Sequence, residues 1–241
     1  MAEDRADTFY VMDAGAIDDN ITTVVDSVST IDSNYTGCYY PWVKGVDNDN
    51  NKSLWLPPSV AVVQAFAYND RTGAPWFAAA GLNRAGLPEL IDTRIRLNTT
   101  DRDNLYLGRV NPIVYFTKEG ITVWGQKTLQ SRPSALDRIN VRRLLITAKK
   151  FIASASKYLV FDQNTQQTRQ RFLNIVNPYL ESIQQRNGLY AFKVKMDDTN
   201  NTPEMIDRNM LIGEIWLQPT KTAEFIVIDF NVLPTGATFP A

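Results

Sequence analysis

Histidine is absent from this sequence of 241 residues, and cysteine occurs once, as Cys38. Without histidine the chain lacks the Ser-His and Cys-His pairs of nucleophilic enzymes, the commonest general base and the commonest metal ligand. A single thiol can form neither an intrachain disulfide nor a thiolate zinc site. The sequence therefore predicts a protein that is not an enzyme and that binds no metal or cofactor.

Motifs for nucleophilic catalysis and phosphate binding are also missing, since the sequence has no G-x-S-x-G, G-x-G-x-x-G or Walker-type stretch. Ser154 and Lys157 have the spacing of a Ser-Lys pair, but we expect both on the solvent side of a helix. Residues 47–51 imitate the start of a calcium loop, yet Lys52 and Pro58 stand where that loop needs glycine and glutamate. This segment is therefore predicted to be a solvated turn.

The charge balance is nearly neutral, with 25 Lys and Arg against 26 Asp and Glu and a net charge of -1. Such a chain has no overall attraction to nucleic acid or to an anionic membrane. No apolar run approaches the roughly 20 residues that span a bilayer, and the acidic start is unlike a signal peptide. We expect a soluble chain, made in a cytoplasm, that binds neither nucleic acid nor membrane.

Residues 1–125 have the pattern of an α/β domain. An apolar strand at Phe9–Met12, a helix over Asp18–Ile31 and a strand over Thr36–Val46 predict a parallel βαβ unit. A helix follows from Ser59, with Val60, Val63, Ala67 and Phe66 expected on its inner face. Short strands are predicted at 105–110 and 113–116, and Gly120 is the expected hairpin turn into the strand that ends at Trp124.

Residues 126–241 have the pattern of an α+β module. The polar stretch Gln126–Asp137 is the predicted boundary between the two parts. A long amphipathic helix is expected over Val141–Tyr158, and a second helix over residues 172–183 with an interruption at Pro178. Strands at 189–196 and 211–218 and a short helix after Thr202 complete a small antiparallel sheet on two long helices.

One face of the long helix is predicted to be basic. Its cationic residues lie away from the apolar positions of the helix: Arg142, Arg143, Lys149, Lys150 and Lys157. Two interpretations stay open, a merely solvated face and a patch that meets an acidic protein surface. Duplex DNA is a weaker third, because the whole chain is not basic.

The last predicted strand, Ala223–Leu233, is apolar on both faces although it lies near the chain end. The residues concerned are Phe225, Ile226, Val227, Ile228, Phe230 and Val232. A strand of this kind can be a central strand of its own domain, or it can add to the sheet edge of a neighbour, where backbone hydrogen bonds supply affinity. Both possibilities follow from the pattern.

Several long segments resemble the contractile tail sheath proteins of bacteriophages, of the type found in T-even-like myophages. The segments RPSALDRINVRRLL, FLNIVNPYLESIQQRNGLYAF and IGEIWLQPTKTAEFIVIDF resemble the C-terminal sheath module. The segments SLWLPPSVAVVQAFAYNDRTGAPWFAAAG, GRVNPIVYF and GITVWGQKT resemble the region before it. Members of the family are much longer, so the sequence is expected to correspond to the C-terminal part of such a protein.

The resemblance implies the end of the α/β domain that is sometimes named subtilisin-like, followed by the C-terminal module. It implies a virion structural protein that polymerises around the tail tube and contracts to drive the tube through the host envelope during genome ejection. The implied partners are other copies of the chain, the tube, the baseplate and the tail terminator. The terminal strand would link subunits, and the basic face from Arg142 to Lys157 would meet the tube. The alternatives are a sheath subunit of a related contractile injection system and, disfavoured by the missing motifs, a carboxylate-dependent hydrolase.

Overall fold

A computed structural model describes residues 2–47, 49–50 and 52–226 of the chain. The helices in chain order are α1 (Ala2–Arg5), α2 (Ile21–Ser29), α3 (Pro58–Thr72), α4 (Thr99–Leu107), α5 (Ile139–Ser156), α6 (Gln166–Gln185) and α7 (Pro203–Asp207). The strands are β1 (Tyr10–Asp13), β2 (Thr36–Tyr40), β3 (Val43–Asp47), β4 (Lys52–Leu56), β5 (Leu90–Thr93), β6 (Val110–Phe116), β7 (Gly120–Val123), β8 (Leu189–Lys195) and β9 (Glu214–Pro219). Helices and sheets are mixed, as the sequence predicts.

The main sheet has the order β1-β2-β6-β7 and confirms the predicted βαβ unit. β1, β2 and β6 are parallel, with Met12 opposite Cys38 and Cys38 opposite Val110. The crossover helix α2 begins where the side chain of Asn20 accepts a hydrogen bond from the Thr23 amide at 2.9 Å. β2 is buried along its whole length, because its side chains alternate between two apolar cores on opposite faces of the sheet.

A second sheet, β4-β3-β5, arises where a single strand over Thr36–Val46 was expected. That prediction is wrong, because the chain leaves the main sheet after Tyr40 and β3 pairs antiparallel with β4 and β5. Pro41 stands at the break, and proline has no N–H with which to continue a ladder. The strands β4 and β5 were not anticipated from the sequence.

Helix α3 packs on the main sheet with a different face from the predicted one. Val60, Val63 and Ala67 were expected inside, but Val60 and Val63 are 50% and 55% exposed, and Ala67 is exposed as well. The buried stripe consists mostly of small residues, namely Ala61, Val62, Ala65 and Asn69. Ala61 and Ala65 let the helix lie close to the sheet, Phe66 packs partly buried against the same core, and Val60 and Val63 are left on the outside.

The segment before β6 is helical, so the strand predicted at 105–110 is wrong. α4 is fixed by a reciprocal capping box, in which Asn98 Oδ1 accepts from the Asp101 amide at 2.9 Å and Asp101 Oδ2 accepts from the Asn98 amide at 3.0 Å. The hairpin prediction is confirmed, since β6 and β7 pair antiparallel with Phe116 opposite Gly120. Gly120 has a φ of 85°, a conformation that glycine adopts without strain.

The helices α5 and α6 pack together over a third apolar core, which confirms the predicted pair of long helices. The predicted interruption at Pro178 is wrong, because α6 runs through this proline without a break. Proline removes one backbone donor from the helix. Val176, Leu180 and Ile183 are fully buried on the inner face of α6, and their packing holds the helix together across this position.

The stretch Gln126–Asp137 is fastened to the main sheet. The Leu129 amide donates to the Thr36 carbonyl at 3.0 Å, and the Leu129 side chain is fully buried in the core around Val24, Cys38 and Leu105. The Thr128 amide donates to the Asp137 carbonyl at 3.0 Å, which folds the stretch back on itself. A division of the chain into residues 1–125 and 126–241 stays a prediction.

Candidate functional site

The first two arginines of the predicted basic face point into the protein. Arg142 is only 4% exposed, its Nε donates to the Asn34 carbonyl at 3.2 Å, and its guanidinium lies 4.0 Å from the Tyr35 ring centroid. Burial lowers the pKa of Arg142 from its usual value. The expectation that Arg142 lies away from the apolar side of α5 is therefore wrong, because the Tyr35 ring and the Asn34 carbonyl supply its partners.

Arg143 joins α5 to α3 rather than facing solvent. Its guanidinium forms an ion pair with Asp70 and lies 4.4 Å from the centroid of the Phe66 ring. Phe66 in turn packs on the core beneath the main sheet. Within this chain Arg143 is a structural contact between two helices, which the charge pattern alone could not distinguish from a free cation.

The basic face that remains exposed consists of Lys149, Lys150 and Lys157. It continues into an apolar corner between α5 and α6, where Tyr158 and Val160 are largely exposed and Phe161 is completely exposed. Sequence reasoning ended the amphipathic helix at Tyr158 and missed this corner. The available signal was four consecutive apolar residues at a helix end, of which only Leu159 is buried.

The sheet formed by β8 and β9 covers α6 with one face. Phe192 lies opposite Leu217 and Val194 opposite Ile215, and these residues pack on the core of α5 and α6. β9 pairs antiparallel with β8. Within the residues that the structure describes, no further strand joins this sheet, so β8 and β9 are both edge strands.

The start of the predicted last strand is irregular. Residues 221–226 have no strand conformation, so the prediction is wrong for Ala223 to Ile226, where the side chain of Glu224 binds the body of the protein. Phe225 and Ile226 are 74% and 81% exposed. The remaining predicted linking residues lie outside the described residues: Val227, Ile228, Phe230 and Val232.

Clusters of metal ligands and reactive thiols are absent from the part of the chain that the structure describes. In residues 2–47, 49–50 and 52–226, no three metal-ligating side chains come together. The lone thiol, Cys38, is buried in the main sheet, and burial raises its pKa to about 12, so it is a poor nucleophile. None of the helices in the described part of the chain could cross a membrane.

Comparison with known sequences finds one family repeatedly. Residues 131–232 match the model of a family described as phage tail sheath C-terminal domain. The chain is 36% identical over 224 residues to the tail sheath protein of Vibrio phage KVP40. The aligned region covers 93% of this chain and 32% of that protein. It is 33% identical over 226 residues to the tail sheath protein of Enterobacteria phage T4, covering 94% of this chain and 33% of that protein.

The fold gives the same result among solved structures. A sheath subunit in the cryo-EM structure of the extracellular contractile injection system PVC, in its contracted state, superposes with a TM-score of 0.82 at 26% identity. The superposition covers 92% of this chain and 63% of the PVC chain. Of the curated tail sheath proteins that it matches, the chain spans about a third of the length.

Proposed function

Since residues 131–232 carry the phage tail sheath C-terminal domain and the chain is a relative of tail sheath proteins, we propose that it is a structural part of a contractile tail sheath. In this proposal it polymerises around the tail tube in the virion, and contraction drives the tube through the host envelope during genome ejection. The observation that carries the proposal is the 36% identity to a tail sheath protein over 93% of the chain. The proposed partners are further copies of the chain, the tube, the baseplate and the tail terminator.

The proposal includes a division of the chain into two structural parts. Residues 1–125 would be the end of the α/β domain that is sometimes named subtilisin-like, and residues 126–241 the C-terminal module. The three apolar cores follow this division only in part, because Leu129 and Ile139 pack in the cores of the main sheet while Ala74 and Trp76 pack in the core of α5 and α6. The chain would do mechanical work through its interfaces and would catalyse no reaction, in keeping with the unreactive Cys38.

The proposed link between subunits is the remainder of the predicted strand, residues 227–233, which would add as a strand to the sheet of a neighbouring copy. The open edges of β8 and β9 support this, because an edge strand can pair with an incoming strand. Phe225 and Ile226 are too exposed to serve as core residues of their own subunit. Polymerisation would therefore complete a sheet that the described chain leaves with two strands.

Electron microscopy of the purified chain, alone and mixed with the tube protein of the same virus, tests the proposal. We expect rings or tubes of one fixed diameter, because a strand exchanged between copies allows a single repeated geometry. Monodisperse monomers under all conditions, with no binding to the tube, would contradict it.

A second candidate function is favoured by the structural likeness to the PVC sheath, with its TM-score of 0.82. The chain would then be a sheath subunit of a contractile injection system rather than of a virion. Mixing the chain with tube proteins of both kinds of machine separates the two, because the sheath should assemble on its own tube and not on the other.

We further propose that the tube contacts the exposed face formed by Lys149, Lys150, Lys157 and the corner at Tyr158 and Phe161. Ammonium groups on long side chains suit an acidic tube surface, and exposed aromatic rings supply apolar contact area at an interface. Arg142 and Arg143 are left out of this revised face, because their guanidinium groups already have partners inside the subunit.

Reversing the charge of Lys149, Lys150 and Lys157 to glutamate should weaken binding to the tube about tenfold or more at low salt, without unfolding α5. The three side chains are exposed, so their loss removes no core contact. Co-sedimentation with the tube protein at several salt concentrations measures the effect, and the difference from the unaltered chain should shrink as salt screens the charges.

A control with the same change in net charge reverses Lys52, Lys118 and Arg208, which are exposed and lie outside α5 and α6. This control should bind the tube as the unaltered chain does. Equal losses in both triple variants would mean that net charge, and not the face on α5, governs binding.

A further inference from the structure

The carboxylate of Glu224 is held by three side chains just before the chain reaches its exposed apolar run. Arg138 donates from Nε to Oε1 at 2.6 Å and from Nη2 to Oε2 at 2.9 Å. Gln126 Nε2 donates to Oε1 at 3.1 Å, and the Tyr106 hydroxyl donates to Oε2 at 3.1 Å. A two-pronged guanidinium–carboxylate contact of this kind is stronger and more directional than a single hydrogen bond.

The contact is partly shielded from water, since the side chains of Arg138 and Glu224 are 25% and 20% exposed. The Phe225 ring meets the Tyr106 ring edge-on, with centroids 5.7 Å apart. Two residues before Glu224, the Thr222 hydroxyl accepts a further hydrogen bond from Gln126 Nε2. The pair is therefore screened less than an ion pair in open solvent, and the contacts of Thr222 and Phe225 reinforce it.

The three donors belong to the body around the main sheet and not to the β8–β9 sheet from which the segment comes. Tyr106 lies on α4, Gln126 follows β7, and Arg138 precedes α5. The Ile139 amide donates to the Gln126 carbonyl at 2.9 Å, which fixes the last two donors relative to each other. The chain is thus fastened at two places, in β9 and again at Glu224.

We infer that Arg138 and Glu224 are positioning residues that set the point from which the linking segment leaves the subunit. The inference rests on the proposed function, in which that segment joins a neighbouring copy. A force on the residues beyond Ile226 would act on the Arg138–Glu224 pair before it acted on β9. The load would then pass into α4 and α5, and the β8–β9 pair would be spared from being peeled apart.

Glu224→Gln tests the anchor, because glutamine keeps the size of the side chain and removes its charge. Lys221 lies just before the anchored residues and is exposed, so trypsin cleavage after it reports how often this segment detaches. We expect cleavage to become about tenfold faster, since hydrogen bonds to a charged group are lost. The fragment 222–241 is identified by mass, and thermal denaturation should show the rest of the fold unchanged.

Two further variants sharpen the result. Glu181→Gln removes a carboxylate from the exposed side of α6 and should leave cleavage after Lys221 unchanged. Arg138→Gln should accelerate cleavage as Glu224→Gln does, and the double variant should be cleaved little faster than either single one, because both remove the same contact. Effects that multiply in the double variant would mean that the two residues act independently, which would overturn the inference.

Assembly of the Glu224→Gln chain on the tube separates the anchor from the proposed function. Faster cleavage together with a several-fold lower yield of regular polymer supports the positioning role. Unchanged cleavage overturns the anchor whatever the polymer does. Faster cleavage with normal polymers overturns the positioning role and leaves the proposed function standing, whereas failure of the unaltered chain to polymerise counts against the proposed function alone.

Discussion

Replacing Ile228 by proline is expected to abolish polymerisation while the helices of the subunit stay folded. In the proposed link, residue 228 lies near the middle of a strand that adds to a neighbour. Proline removes a backbone donor there and fixes the local φ angle. Ile228 lies outside the described residues, so the expectation comes from the apolar pattern of 223–233 and from the open edges of β8 and β9. Electron microscopy measures assembly, and circular dichroism measures helix content.

Two controls accompany this variant. Ile228→Val keeps the backbone donor and a β-branched apolar side chain, so it should assemble normally. Removal of Pro234 to Ala241 should be milder than the proline substitution, because it spares the apolar run. Normal tubes from Ile228→Pro would rule out the strand as a link. Loss of helix content in that variant would instead make the strand an internal core element.

Trp76→Ala is expected to lower the free energy of unfolding by about 3–5 kcal/mol, the range for emptying a large aromatic site in a core. Trp76 follows α3 yet packs in the core of α5 and α6, beside Leu144 and Phe172. Its indole Nε1 donates to the Arg186 carbonyl at 3.1 Å, and the Arg186 guanidinium lies 4.9 Å from its ring centroid. One side chain thus ties the region after α3 to the helix pair.

Chemical denaturation followed by circular dichroism measures the loss, and the linear extrapolation gives the free energy. Trp124→Ala is the matched control, because Trp124 is 43% exposed and its removal empties no core site. Trp124→Ala should cost clearly less than Trp76→Ala. Equal costs for both variants would show that Trp76 contributes no special connection between the two parts of the chain.

Much of the fold could be predicted because its signals are local. The alternation of charged and apolar residues gave β8, and the spacing of Val24 and Val28 gave α2. Helix α3 was harder, since it is apolar on two sides and only the close approach of the sheet decides that Ala61 and Ala65 go inside. The strand β4 was missed because its edge position leaves Leu54 partly in water, without a buried pattern to read.

The candidate site was less accessible to sequence reasoning, since its key contacts join distant parts of the chain. A cation on a helix has the same sequence signature whether it is solvated, as Lys149 is, or bound to Asn34 and Tyr35, as Arg142 is. The partners of Glu224 likewise come from residues far away along the chain. These contacts form because the fold brings distant residues together, and the spacing of apolar residues along the sequence does not predict them.

The order of strands in the main sheet has a consequence for synthesis on the ribosome. β2 lies between β1 and β6, and its pairing with β6 joins Cys38 to Val110. At about 5–20 residues per second, β6 emerges roughly 4–15 s after β2. During that interval one edge of β2 has no partner strand. Contacts between residues that lie so far apart in the sequence form slowly. While residues 41–109 are being translated, one edge of β2 is therefore open to pairing with the wrong strand.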